Sequence, residues 1–232
     1  MSSRYRRDGY VLAAILCLEA IVVMAALVLF GIAYPDNLRS RLWRNGGEEG
    51  WCSNPRLRIY FYANHEEPPE IPLIWSQNLT TSNMATAVLG LAVFFARLTM
   101  AALHYDARWT NLSYDIFLTM LWVFSAGAQN GSDLTDAQHL MERPWYLVRS
   151  CDDSWLQNRG WCRIAKWEYA WAILAASFYL SRIVVGLGSV VYEKGRRDGA
   201  TASFNEWHWE GRAVMSYKDA DGDFVPVPAD RL

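Results

Sequence analysis

Four long apolar runs, each interrupted by a single charge, constrain this chain more than any other feature. They are Val11–Ala33 with Glu19, Met84–Leu103 with Arg97, Leu112–Ala128 with Asp115, and Tyr169–Val191 with Arg182. A helix crossing the hydrocarbon layer needs about 17–25 mostly apolar residues. The mean hydropathy of the whole chain is only −0.03, because the segments between the runs are polar. This pattern excludes a soluble enzyme and a small secreted disulfide scaffold. It predicts an all-α polytopic membrane protein, a four-helix bundle with two non-cytosolic loops.

The expected order is a cytosolic N-terminus (1–9), spans at 10–33, 82–103, 111–129 and 166–192, non-cytosolic loops at 34–81 and 130–165, a cytosolic turn at 104–110 and a cytosolic tail at 193–232. Arg4, Arg6 and Arg7 precede the first run. A secretory signal begins the same way, but its apolar region is only about 7–15 residues long, so a retained anchor is expected over a cleaved signal. Lys194, Arg196 and Arg197 open the tail. Basic residues favour the cytosolic side, which places both termini there. Arg39, Arg41 and Arg44 after the first run weaken that bias.

Cys52, Cys151 and Cys162 all fall in the two long loops. Cys151 and Cys162 lie close together within one loop, which suits a disulfide in an oxidising compartment, the alternative being three free thiols. Cys52 has no evident mate. These features predict a protein of the secretory system, with the plasma membrane as its expected address. Sequons at Asn78, Asn111 and Asn130 add little, since all three lie at or between the expected spans.

Trp75, Trp109, Trp161 and Trp167 lie near expected membrane ends, where an amphipathic ring sits at headgroup level. Trp43, Trp51, Trp145 and Trp155 lie within loops and need another explanation. Leu57–Tyr62 is rich in strand formers and follows Pro55, which predicts a short strand in the first loop. The tail reads as largely disordered, with a docking segment at Trp207 and Trp209. Asp219–Asp223 begins like a calcium loop but lacks glycine at the sixth position and a distal Glu, so no metal is expected.

The four intramembrane charges are the candidate structural residues. A charge inside a span is costly, so it faces the bundle and takes a partner. Arg97 and Asp115 are equidistant from Asp106, the centre of the short turn, and so sit at one depth. Glu19 and Arg182 fall at similar depth. Two ion pairs result, Arg97–Asp115 and Glu19–Arg182, and no second row of polar residues is expected in the other half of the bundle. No C-x-x-C, bis-histidine or nucleotide motif occurs, so neither catalytic nor cofactor-binding residues are expected. The net charge of −2 leaves no basic face for nucleic acid. The expected partners are the lipid bilayer, proteins contacting the tail and outer loops, and a second copy of the chain.

The run Tyr114-Asp115-Ile116-Phe117-Leu118-Thr119-Met120-Leu121-Trp122-Val123-Phe124, with its early acid and later Trp, resembles the third helix of MARVEL-like proteins. The stretch through Cys151 and Cys162 into the fourth run is similar to fungal membrane proteins of this kind. The resemblance covers about residues 10–192. It implies a non-enzymatic role in membrane domains, membrane apposition or vesicle trafficking. One departure is the arginine in the second span, where the related Casparian strip proteins carry it in the first. Leu42-Trp43 and Trp51-Cys52 faintly resemble the first loop of claudins, a junction-type alternative that needs two cysteines where this loop has one. A small transporter or channel subunit is the third reading.

Overall fold

A computed structural model of the chain describes residues 2–34, 38–103, 105, 108–213, 216–218 and 224–226, with side chains described between residues 9 and 196. Residues 1–183 form one compact unit and 184–232 a second. The architecture is helical: α1 (Ser2–Ala33), α2 (Leu38–Glu48), α3 (Arg58–Ala63), α4 (Gln77–Ala102), α5 (Arg108–Gln129), α6 (Trp145–Val148) and α7 (Arg159–Ala213).

Among the described residues three helical stretches, Gly9–Ala33, Gln77–Ala102 and Leu156–Arg196, are long and apolar enough to cross a membrane. Such a segment must be helical, because hydrocarbon offers no partner for an open backbone N–H or C=O. The helix α5 spans 22 residues, and part of its polar surface is turned inward. Asp115, Ser125 and Gln129 are buried, while Phe117, Met120, Val123 and Phe124 are exposed.

In the first unit, α1, α4, α5 and α7 share a core through Val22, Ala26 and Phe30, Ala87 and Val93, Leu118 and Trp122, and Ala172, Ala175 and Tyr179. Most of these recur at three- and four-residue steps, the spacing of one helix face. Small residues let the helices close up: at Gly90 an added Cβ would sit 3.6 Å from Val23 of α1.

The two long loops fold together into a cap with its own core. It comprises Leu38, Leu42 and Trp43 of α2, Cys52, Ile74, Trp75, Met141, Trp145, Tyr146, Cys151, and Cys162 and Ala165 of α7. The loop tryptophans are explained here. Trp43 stacks on Trp75 with ring centroids 6.5 Å apart, and Trp51 tilts against Trp145 at 5.2 Å. Trp75, expected near a membrane end, does not present its ring outward; it is 1% exposed, and its indole N–H is spent inside the cap. Trp109, in the first turn of α5, and Trp167, in α7, are exposed. Trp161 is half-buried beneath the Arg41 guanidinium, 5.5 Å from its ring centroid.

The strand expected at 57–62 is a helix. Asn54 accepts a hydrogen bond from the Arg56 amide at 2.9 Å and caps a 3-10 turn at Pro55–Leu57, which runs on into α3. A capping Asn followed by Pro at the first helical position starts a helix, and with no strand alongside among the described residues, the β-formers of Ile59–Tyr62 follow it. In the second unit, α7 continues to Ala213, and Ser216–Lys218 pairs antiparallel with Phe224–Pro226. The segment expected to be largely disordered thus carries regular structure. Trp207 and Trp209 fall on that helix, and the calcium-like Asp219–Asp223 lies outside the described residues.

Candidate functional site: two polar layers in the bundle

Ile74, Trp75 and the first turn of α4 sit in or beside the cap. Twenty residues along α4 is Arg97, far from the cap, so each helix runs from a cap end to a distal end. The four charges expected within the spans meet at the distal end. Arg97 Nη1 donates to Glu19, and its Nη2 donates to Asp115 Oδ1 at 2.6 Å. Arg182 Nη1 donates to Glu19 Oε2 at 2.9 Å, and its Nε lies 3.0 Å from Asp115 Oδ1. The two expected pairs form, and so do the two cross pairs. The result is a closed ring of alternating charge from four helices, with no net charge.

Arg97 also donates to the Asn111 carbonyl at 3.1 Å, so a single guanidinium ties α4 to α1 and α5. Glu19, Arg97 and Asp115 are buried; Arg182 is partly exposed, at 16% of its side chain. A buried charge without its partner carries a large desolvation penalty. The ring therefore fixes which helix faces meet.

A second polar layer lies on the cap side of the bundle, where none was expected. Asn83 Oδ1 accepts from Ser125 Oγ at 2.8 Å, and Ser125 Oγ accepts from Gln129 Nε2 at 3.1 Å. The Gln129 carbonyl accepts from the Tyr146 hydroxyl at 3.3 Å. Arg39 Nη1 donates to Tyr146 at 3.1 Å, and Arg39 Nη2 donates to Glu168 at 3.2 Å. Arg39 and Glu168 are 1% and 0% exposed. Burial holds the Tyr146 phenol above its ordinary value despite Arg39, so the ring stays neutral and its hydroxyl both donates and accepts. Asn83, Ser125 and Glu168 sit within the expected spans, and as uncharged or lone residues they gave no periodic signal. Arg39 and Tyr146 belong to loops whose burial no pattern announces.

Between the layers the core is apolar: Ala26, Ala87, Leu118, Trp122, Ala172 and Ala175. The polar bond that marks this zone runs from Trp171 Nε1 to the Val22 carbonyl, at 3.1 Å.

The cap is closed covalently. Cys151 and Cys162 form the expected disulfide, with Cα atoms 5.6 Å apart, and it joins the loop to the first turns of α7. Cys52 is free and fully buried, its thiol donating to the Trp43 carbonyl at 3.7 Å. Asp133 is the cap's buried acid. It accepts from Ser53 Oγ at 2.5 Å, Trp75 Nε1 at 2.8 Å, and the Thr135 amide and hydroxyl at 3.2 and 2.7 Å. Its partners are neutral donors rather than a cation. Among the described residues no group of three His, Cys, Asp or Glu is placed to hold a metal.

No family model matches the chain, and no solved structure matches it. The chain is similar to Kojic acid related protein 1 of Aspergillus oryzae (strain ATCC 42149 / RIB 40), with 27% identity over 151 residues. The match takes in 64% of this chain, which spans about half the length of that relative (56%).

Proposed function

We propose that the chain is a non-enzymatic integral membrane protein whose four helices, α1, α4, α5 and α7, all cross the bilayer, with both termini cytosolic and the disulfide-closed cap on the far side. Its task is to organise the membrane by holding a rigid folded cap at a fixed height, for lateral clustering or for apposition with a facing surface. The closed charge ring carries this reading. Each arginine is met by both carboxylates and each carboxylate by both arginines, which leaves the set to fix helix packing rather than to meet a solute. The apolar outward face of α5, with Phe117, Met120, Val123 and Phe124 exposed, supports its placement in lipid. The disulfide supports the secretory route, with the plasma membrane as its end. The span order and third helix that resemble MARVEL-like proteins agree with an organising role.

One observation favours a second reading, a small transporter subunit: the cap-side polar layer. Purified protein in sealed vesicles separates the two. An organising protein gives proton and ion flux no faster than empty vesicles, while it clusters laterally or tethers vesicles to one another. Flux that tracks protein content overturns the proposal, as does the absence of both clustering and tethering.

A further inference from the structure

The cap encloses a half-open recess of about 170 Å³. It is far larger than a single water requires and smaller than the roughly 300–1,000 Å³ of a drug-sized pocket. One wall is the 54–61 segment with Pro69, and the other is the 135–137 turn. Trp43, Leu57, Phe61 and Pro69 supply its apolar surface.

Its polar groups divide by wall. The 54–61 side brings donors. Asn54 uses its carbonyl oxygen to cap Arg56, which leaves the amide NH₂ as its donor end. Arg58 has five N–H groups and gives one to the Pro69 carbonyl. The 135–137 side brings acceptors. Thr135 spends its hydroxyl proton on Asp133, leaving oxygen lone pairs. Asp136 accepts from the Gln138 amide at 2.9 Å and pairs with His139 at 2.9 Å, and each carboxylate oxygen keeps further acceptor capacity. The His139 hydrogen bond holds the Asp136 carboxyl below its usual range, so it stays an ionised acceptor.

This arrangement selects against most small ligands. An anion drawn to Arg58 meets Asp136, and a cation drawn to Asp136 meets Arg58. A wholly apolar ring desolvates donors and acceptors on both walls without replacing their water, at a cost for each group. A hydroxyl group donates and accepts at once, so it can bridge a donor wall to an acceptor wall. A ring carrying several hydroxyls also has C–H faces to lie against Phe61 and Trp43.

We infer that this recess binds one neutral, hydroxyl-bearing ring of the size and chemistry of a single sugar unit. The unit arrives as a free sugar or as the end of a glycan chain. The site goes beyond the membrane-organising reading and does not depend on it.

The test uses the full chain in lipid nanodiscs and saturation-transfer NMR. The probes are glucose, mannose, galactose and N-acetylglucosamine, with inorganic phosphate and tetramethylammonium as charged comparators. At least one sugar receives saturation from the protein, and its affinity falls at least tenfold in Phe61→Ala and in Asp136→Asn. Glu66→Gln, on the same segment but outside the recess, binds like the parent. An oligosaccharide ending in the same unit distinguishes the sources: equal binding identifies a chain end, and loss of binding identifies a free sugar. The inference is overturned if no sugar receives saturation, if phosphate or tetramethylammonium binds more tightly, or if both recess variants bind like the parent. The comparison across probes is made on the parent protein, so a variant that fails to fold leaves a decisive result standing.

Discussion

Arg97 and Arg182 share both of their partners: each holds Glu19 and Asp115, although 85 residues of chain separate the two arginines. A ring responds to mutation differently from two pairs. Exchanging Arg97 with Asp115 would restore an isolated pair. Here the exchange sets a new carboxylate on α4 against Glu19 and a new guanidinium on α5 against Arg182. The double variant Arg97→Asp with Asp115→Arg is therefore expected to stay destabilised, with two of its four contacts repulsive as in either single, each single losing roughly 3–5 kcal/mol by analogy with broken buried pairs in soluble proteins. Inverting all four charges restores every contact and recovers part of the loss. Detergent melting of the singles, the double and the quadruple decides this, and recovery in the double alone would show that Arg97 and Asp115 form a closed pair.

Gly46 on α2 has no room for a methyl group. A Cβ there would lie 2.5 Å from the Trp145 ring and 2.8 Å from Cys52 Sγ. Gly46→Ala is expected to force the Trp145 indole off its hydrogen bond to the Leu42 carbonyl, now 3.1 Å, at a cost of about 1–3 kcal/mol from overpacking. Tryptophan fluorescence during thermal melting reads it, whereas Gly31→Ala, where an added Cβ meets nothing within 4 Å, does not lower the melting temperature.

The cap's cysteines make a chemical prediction. Burial pushes the Cys52 thiol far above its ordinary value, and only the thiolate reacts readily. Alkylation of the native protein therefore spares Cys52, and denaturation without reductant exposes it. Cys151 and Cys162 label only after reduction. Replacing either bridging cysteine by Ser is expected to cost about 2–5 kcal/mol, read as a lower melting temperature. Peptide mapping that finds Cys52 disulfide-bonded would contradict this arrangement.

Asp136 links the 133–141 turn to acid. Its folded value is lowered chiefly by the His139 hydrogen bond and then by the Gln138 amide. A group whose folded value lies below its unfolded one stabilises the fold above the unfolded value, and that contribution is lost as pH falls through the folded value. Hydrogen exchange in this turn is thus expected to speed up below about pH 3.8, the ordinary Asp value, while Asp136→Asn abolishes the pH step.

The helical architecture was legible in the sequence because long apolar runs leave a backbone little choice. A lone charge in an apolar run has to find a counter-charge, and the depth of Arg97 and Asp115 follows from counting out from Asp106. The cross pairs were not legible, since linear spacing fixes depth but not the rotation of four helices about a common axis. Hydropathy also hid the cap-side layer, because Asn83, Ser125 and Gln129 read as minor dips in otherwise apolar helices. The burial of Trp75 was hidden for a related reason: an indole beside a helix end suits headgroups equally well, and only Asp133, 58 residues away, shows where its N–H goes. The strand formers at 59–62 yielded to the cap at Asn54, a local signal that outweighs propensity when no neighbouring strand is available.

The Arg39–Glu168 pair joins residues 129 positions apart, and this sets an order of assembly. Arg39 emerges early, just after α1, while Cys162, Ala165 and Glu168 emerge only with the last long helix. Until α7 arrives, the cap holds Arg39 without its counter-ion and Cys151 without its mate. A chain that stops short of α7 therefore lacks both closures, and α7 supplies them together.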